Sequence, residues 1–258
     1  MDAAYRTPLL DVFRRGEVPR EIRMLAARGV LAPRAHEQIA LLMLLGGDAD
    51  TGVRLAAEET LSRIPRAALE TFLARADVSD DTRQFFAARG VQPAEEPAQG
   101  ADDPLTGAPG PEAADEPGRM GAVERLAQLS VVERMKIAMR GTREERAILI
   151  RDHNRIVAAA VLSNPKLNDA EVEAFARMPN VSEDVLRTIG HTRAWMKHYG
   201  IVQALTRNPK TPLAVSLALV PRLHERDVRL VATDRNVPEA VRTAARRMVV
   251  AAAASPRR

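Results

Sequence analysis

The segment 191–199 holds the densest set of side chains that could bind or react. It reads HTRAWMKHY and contains the only tryptophan of the chain, one of its two tyrosines and two of its five histidines. Arginine, tryptophan and tyrosine are enriched at the energetic centres of protein interfaces. Either Trp195 and Met196 anchor a helix end in the core and leave Arg193 and Lys197 in solvent, or the segment forms a partner-binding patch.

The histidines do not have the spacing of a metal site, and no nucleophile or phosphate-binding motif accompanies them. His191 and His198 are seven residues apart, and no His-x-x-x-His pair occurs. Zinc ligands on helices use such close spacing. The chain also lacks a Gly-x-Ser-x-Gly elbow and a Gly-x-x-x-x-Gly-Lys loop. We therefore expect no catalytic residue, no cofactor and no metal site.

The composition favours helices. Hydrophobic residues make up 46% of the chain, but aromatic residues make up only 3%. Alanine, leucine and arginine are abundant, and these residues lose little side-chain freedom in a helix. The chain has no cysteine, which excludes disulfides and thiolate metal sites. Since no segment alternates apolar and polar residues like a half-buried strand, an all-α fold is expected.

Neither a signal peptide nor a membrane span is predicted. The first 20 residues lack an apolar core and carry the acids Asp2, Asp11 and Glu17. The longest apolar run, residues 39–45, is far shorter than the roughly 20 residues that cross a bilayer. We therefore expect a cytoplasmic protein without membrane insertion.

Charge is distributed unevenly along the chain. Residues 1–91 hold 13 arginines and 13 acids, and residues 92–118 hold seven acids and no base. Residues 119–258 hold 25 basic and 14 acidic residues, a net charge of +11 within a chain whose total is +4. A net positive surface attracts acidic partners. The C-terminal part is therefore predicted to bind an acidic protein surface or, alternatively, nucleic acid.

Residues 92–118 have the composition of a linker. Six of them are proline, four are glycine and seven are acidic, and Leu105 is the only sizeable apolar side chain. Such a segment buries too little surface to offset its ordering entropy, so we expect disorder. It acts either as a solvated tether or as an intramolecular competitor for the basic part of the chain. The predicted domains are an N-terminal block at 1–91, this linker, a C-terminal block at 119–254 and a frayed tail at 255–258.

Comparison of the chain with itself reveals repeated segments. Three stretches of the first block match the second block at a constant offset of 103, namely residues 53–57 with 156–160, 69–72 with 172–175 and 78–81 with 181–184. Within the second block, residues 202–215 match 228–241 at an offset of 26. Because helices of about 8–12 residues are marginal alone, such units must stack on their neighbours.

Capping residues mark the predicted helix ends. Capping boxes are predicted at Ser130 with Glu133, Thr142 with Glu145, and Asn168 with Glu171. Thr211 is predicted to cap a helix whose first residue is Pro212. Glycines are predicted to cap helix C-termini at Gly29, Gly90, Gly141 and Gly190. Together these signals indicate short helices separated by tight turns.

Two short segments share one pattern, VRLAA at 53–57 and VRLVA at 228–232, and a third, NPKTP at 208–212, has the Asn-Pro pair at which the predicted helices end. They resemble HEAT-like helical repeats, especially the leucine-rich-repeat-variant type, and the resemblance covers about two thirds of the chain. It implies an α–α superhelix that binds a partner, here in two blocks joined by the disordered acidic linker. The iron–sulfur cluster associated with the variant type is not expected, because the chain has no cysteine.

We therefore predict a non-catalytic scaffold or adaptor that binds another protein through a concave repeat surface. The partner is expected to have an acidic surface, and the oligomeric state stays open. The candidate contact residues are Arg151, Lys166, Arg193, Trp195, Lys197, Tyr199 and Lys210. Nucleic-acid binding by the basic C-terminal block is the alternative. A helical-repeat DNA glycosylase that uses Trp195 with Asp152 or Asp184 is a third, more distant hypothesis.

Overall fold

The computed structural model describes residues 7–32, 34–95, 102, 104–105 and 121–254. All regular structure in these residues is helical and none of it is strand, so the predicted all-α class is confirmed. In the same residues, no helix has the length and apolar character needed to cross a membrane.

Sixteen α-helices lie in the described part of the chain. They are α1 (Pro8–Arg14), α2 (Arg20–Ala27), α3 (Ala35–Leu45), α4 (Thr51–Arg63), α5 (Arg66–Leu73), α6 (Asp80–Ala87), α7 (Ala122–Ala127), α8 (Val131–Arg140), α9 (Arg143–Leu149), α10 (Arg155–Leu162), α11 (Asp169–Arg177), α12 (Glu183–His191), α13 (Tyr199–Arg207), α14 (Leu213–Leu219), α15 (Glu225–Thr233) and α16 (Glu239–Ala254). Most have 7 to 11 residues, which matches the short helices expected from the sequence.

The chain divides into two compact units. The first comprises Met1–Glu145 and Ala159–Pro165, and the second comprises Arg146–Ala158 and Lys166–Arg258. The division passes through α9 and α10. It differs from the blocks drawn from the sequence, because α7 and α8 group with the first unit.

In the first unit, α3 is the central helix. It contacts α1, α2 and α4, and α2 also contacts α4. Eight of its eleven residues are buried, including Ile39, Leu41 and Leu42. The apolar run at 39–45 thus forms a core helix, as its length of well under 20 residues indicates.

The predicted N-terminal caps are in place. Capping boxes form at Ser130 with Glu133 and at Asn168 with Glu171. Thr142 and Glu145 also exchange hydrogen bonds, since the Glu145 N–H donates to Thr142 Oγ1 at 3.3 Å and the Thr142 N–H donates to Glu145 Oε2 at 2.9 Å. Each box satisfies backbone donors that have no partner within the helix.

Residues matched by the 103-residue offset have equivalent roles. Ser79 caps α6 and Ser182 caps α12, each accepting a hydrogen bond from the N–H three residues later. Val78 and Val181, which precede these caps, are both buried. The matched positions therefore share local structure as well as sequence.

Two of the predicted glycine C-caps have a left-handed backbone. Gly29 and Gly90 each have φ of 77°, a conformation that favours glycine. The N–H of the next residue then donates back into the helix, from Val30 to Leu25 O at 3.1 Å and from Val91 to Phe86 O at 3.0 Å. Gly141 also ends a helix, but its backbone is extended.

Two capping predictions were wrong. Gly190 lies inside α12, where an added Cβ would come within 2.6 Å of Val215 Cγ1, so it is required for close packing and not for a turn. Thr211 does not cap α14, because the N-cap residue is Pro212 and the helix starts at Leu213. Thr211 is only 3% exposed and its hydroxyl has no hydrogen-bond partner among the described residues.

A residue of the predicted linker caps the central helix of the first unit. The N-cap residue of α3, Arg34, makes no side-chain cap. Instead, the carbonyl of Asp102 accepts from Ala35 N at 3.1 Å, and its carboxylate accepts from His36 N at 3.3 Å. Leu105 N also donates to Gln38 Oε1 at 2.7 Å. Asp102 and Leu105 are therefore bound to α3, although most of the predicted disordered segment lies outside the described residues.

In the second unit, the helices pack in an order that follows the chain. α11 contacts α12 and α13, α13 contacts α14 and α15, and α16 contacts α14 and α15. The residues matched at an offset of 26 occupy equivalent buried sites, with Val202 and Leu205 on α13 corresponding to Val228 and Val231 on α15. Helices α13 and α15 thus bury corresponding residues.

Candidate interaction surface

Three turns of the second unit line two clefts together. These turns are residues 177–183 between α11 and α12, 207–213 between α13 and α14, and 233–239 between α15 and α16. We call them together the turn edge. Residues from all three turns line two clefts of about 600 and 370 Å³, and Pro209 lines both.

Asn208 connects two neighbouring turns of this edge. Its Nδ2 donates to the carbonyl oxygens of Ala176 at 2.7 Å and Met178 at 2.9 Å. Its Oδ1 accepts from the Lys210 N–H at 3.0 Å. Asn208 is only 4% exposed and lines the larger cleft, so these bonds join the two turns at the cleft wall.

The acids that line the clefts are ion-paired. Arg207 Nη2 lies 3.1 Å from Asp234 Oδ2, and Arg187 Nη2 lies 2.5 Å from Glu183 Oε1. Lys210 is exposed and has no salt-bridge partner among the described residues. The turn edge therefore combines neutralised acids with at least one cation that is available to a partner.

A second polar and aromatic group lies at the start of α13. The Tyr199 hydroxyl donates to the Asp227 carboxylate, whose other oxygen accepts from Gln203 Nε2 at 2.7 Å. The Tyr199 ring stacks on His224 with centroids 3.9 Å apart. The hydrogen bond from Tyr199 lowers the pKa of Asp227, and burial together with that bond raises the pKa of Tyr199. The tyrosine hydroxyl is thus fixed as a donor at neutral pH.

The predicted contact residues fall into separate groups. Arg193 and Lys197 are exposed, Arg193 before and Lys197 at the end of a short 3-10 helix, Trp195–Lys197, in which Trp195 is half-buried and Met196 is buried. Met196 thus packs into the core, as the first alternative predicts, whereas Trp195 stays partly accessible beside exposed cations, as a partner-binding patch requires. Tyr199 begins α13 and Lys210 follows its end, so about 13 Å of helix separates them.

The other two predicted contact residues lie nearer the start of the unit. Arg151 is exposed after α9, and its Nε donates to the carbonyl of Ala147 at 3.1 Å. Lys166 is exposed in the turn that follows α10. Neither residue lines the two clefts of the turn edge.

The sequence did not identify the buried ion pair of the second unit. Arg146 and Glu171 are 5% and 2% exposed, and two hydrogen bonds of 3.0 and 2.9 Å join the guanidinium to the carboxylate. They are 25 residues apart, and no local pattern marks such a pair. Asn208 had a usable signal, since the Asn-Pro-Lys motif occurs twice, at Asn164 and at Asn208.

The acids considered for base excision have structural partners. Asp184 lies 2.8 Å from Arg155 Nε and accepts from Arg187 Nη1 at 2.9 Å. Asp152 accepts from the Asn154 N–H at 2.8 Å. The described residues contain no group of three or more histidines and acids that could hold a metal ion.

The chain was compared with protein-family models, with curated proteins and with solved structures, and none of the three comparisons gives a match.

Proposed function

We propose that the chain is a cytoplasmic scaffold or adaptor built from HEAT-like helical repeats that form an α–α superhelix, with an acidic linker between two blocks. The second unit binds another protein through the turn edge. The observation that carries this proposal is the serial construction of the edge, in which three successive turns supply residues to shared clefts. Repeat arrays use such serial surfaces to bind extended partners.

The lining of the clefts supports binding and not catalysis. No histidine lines either cleft. The two acids that do, Asp234 and Glu183, are neutralised by Arg207 and Arg187. A general acid or base needs a titratable group aimed at a substrate position, whereas ion-paired acids mainly fix local geometry.

The charge of the second unit supports an acidic protein partner. Lys210, Arg193 and Lys197 are exposed cations, and such cations form charge-assisted hydrogen bonds with carboxylates. Such contacts guide the approach of an acidic surface and set its register more than they add affinity.

Nucleic-acid binding is the alternative, favoured by the net charge of +11 in residues 119–258. Many arginines of the second unit are already engaged by carboxylates, as Arg177 is by Glu173 and Arg229 is by Glu225. Phosphate binding would compete with these pairs, and the chain has only eight aromatic residues on which bases could stack.

Photo-cross-linking in the full-length chain tests the proposal. A photoreactive amino acid replaces Lys210 on the turn edge or, as the control, Leu55 on α4, which is 65% exposed in the first unit. After irradiation in cells that make the protein, we expect adducts with one or a few proteins at position 210 that resist nuclease and are absent at position 55.

Two results would contradict this function. Nuclease-sensitive adducts at position 210, together with full-chain binding to DNA or RNA that falls steeply with salt, would establish the nucleic-acid alternative. Identical adduct patterns at both positions would show that the turn edge has no specific partner.

A further inference from the structure

Helix α14 exposes a continuous apolar face. Its sequence LAVSLAL contains no charged residue. The exposed positions are Leu213, Ala214, Leu217 and Ala218, and the two leucines are 46% and 37% exposed. Isolated exposed leucines are common, but four adjacent apolar residues on one helix face, at the edge of a cleft, are typical of an interaction site.

The turn before α14 has different exposed residues from the turns before α12 and α16. At the first position of the following helix, Leu213 stands where the flanking turns have Glu183 and Glu239. Three residues earlier, Lys210 stands where those turns have Asn180 and Asn236, and all three residues are exposed. An acid at a helix N-terminus is favourable, so its replacement by an exposed leucine weakens the helix locally. Folding of this unit does not explain the exchange, but binding of a partner does.

The exposed face of α14 has the relief of a helix-packing surface. Leu213 and Leu217 form a ridge with a spacing of about 6 Å along the axis, and Ala214 and Ala218 form a shallow groove beside it. A partner helix presents apolar side chains at the same spacing, three or four residues apart. Because alanine side chains are small, the side chains of the partner helix can pack into the groove beside the leucine ridge.

The charge around this face favours an acidic partner. Lys210 has no salt-bridge partner among the described residues. Lys210 lines the same cleft as Leu213, and the one acid that lines this cleft, Glu183, is paired with Arg187. This rim therefore keeps a net positive charge that an acidic side chain can neutralise.

We propose that the Leu213–Leu217 face of α14 binds an acidic amphipathic helix of another protein. The inference rests on the protein-binding function proposed above and assigns the class of its partner. Leucines of the partner pack on the ridge of α14, and a glutamate or aspartate at one end of the partner helix pairs with Lys210.

Two designed helical peptides of about 18 residues test the inference with the full-length chain. Both carry leucines on one face; one has glutamates on the other face and the second has lysines in the same places. We expect the acidic peptide to bind about tenfold more tightly in fluorescence anisotropy. Leu217→Gln should weaken its binding about tenfold, and Lys210→Glu should reverse the preference between the two peptides.

Leu230→Gln on α15 is the matched control, because Leu230 is 45% exposed in the same unit but lies on another helix. It should leave binding unchanged, and all variants should keep the wild-type unfolding midpoint. Equal affinity for both peptides, an equal loss with Leu230→Gln, or no binding would overturn the inference. Self-association of the wild type that Leu217→Gln abolishes would instead identify a second copy as the occupant.

The peptide and cross-linking experiments together distinguish a wrong partner class from a wrong protein-binding function. If the peptides fail but residue 210 still cross-links to a protein, only the class of partner is wrong. If both fail, the protein-binding function of the turn edge is wrong as well.

Discussion

At the scale of single residues, two buried glutamates have opposite electrostatic surroundings. Glu171 is 2% exposed and receives two hydrogen bonds from Arg146. Glu37 is 1% exposed in the first unit, and neither of its carboxyl oxygens has a hydrogen bond of normal geometry. Burial raises the pKa of Glu37, and the nearby hydroxyls of Thr7 and Ser163 offset this only in part. Glu37 therefore opposes folding wherever it must ionise.

We predict that Glu37→Gln stabilises the protein at neutral pH by about 1–2 kcal/mol. The folded pKa lies above the ordinary value of 4.5, so above that value the unfolded state ionises first and stability falls as pH rises through the folded pKa. Thermal unfolding from pH 4 to 8 should show a gain for Glu37→Gln that vanishes at the acid end. A gain that does not change with pH would contradict this assignment.

Glu171→Gln is the matched control, because it removes the same charge at an equally buried position. Here the variant leaves the Arg146 guanidinium without its carboxylate, so we expect a loss of about 3 kcal/mol at neutral pH. Opposite signs for the two Glu→Gln variants would show that the partner, and not burial itself, decides the outcome.

Local residue patterns were predictable, and long-range pairs were not. The capping boxes at Ser130 and Asn168 depend on residues three positions apart, so sequence spacing alone defines them. Thr211 has the same local signature as a cap, yet it occupies the buried place that Val181 and Val237 hold in the neighbouring turns. Packing of the unit therefore overrides the local preference of Thr211 for an N-cap position. That packing involves residues distant in sequence, so the residues next to Thr211 do not predict it.

At the scale of helices, Asn208 links two successive helix pairs. Its amide reaches carbonyl oxygens at the end of α11, while its own backbone ends α13. In the first unit, Asn164 makes a comparable bond to the carbonyl of Ala138 at 2.9 Å. The carbonyls at a helix C-terminus have no partner within their own helix, so a buried amide from the next pair both satisfies them and fixes the spacing.

We predict that Asn208→Ala destabilises the protein by about 2–3 kcal/mol, because it leaves one buried and one part-buried carbonyl oxygen without their amide donor. Chemical denaturation measures the loss. Asn180→Ala, at an exposed position of the adjacent turn, should change stability by less than about 0.5 kcal/mol. Equal losses of stability in the two variants would show that Asn208 does not link the helix pairs.

The helical elements were largely predictable from local patterns, but the contacts between distant parts of the chain were not. The matched caps at Ser79 and Ser182 and the left-handed glycines Gly29 and Gly90 set helix ends through local geometry. Which helices group together depends on side chains distant in sequence. The composition of residues 92–118 suggested a boundary there, yet Asp102 within it binds α3 and the described helices on both sides belong to the first unit.

At the scale of the whole chain, the contact of Asp102 with α3 bears on the role of the acidic segment 92–118. Asp102 Oδ1 lies 2.7 Å from His36 Nδ1 and 3.4 Å from Arg75 Nη1. Its carboxylate also faces the N-terminus of α3, where partial positive charge accumulates. One acid of the segment is thus committed to the first unit, which argues against a segment that serves only as a competitor for the basic C-terminal part.

We predict that Asp102→Ala lowers the free energy of unfolding by about 1 kcal/mol at pH 7, since α3 loses its side-chain cap. Burial raises the pKa of Asp102, but the hydrogen bond and charge of His36 outweigh it and hold the pKa below the ordinary value of 3.8. The contribution is therefore present above that value and lost as pH falls through the folded pKa. The unfolding midpoints of wild type and variant should converge in acid, whereas Glu95→Gln, at an exposed acid of the same segment, should match the wild type throughout. If Glu95→Gln lowered stability as much as Asp102→Ala, the effect would come from the overall charge of the segment and not from the cap on α3.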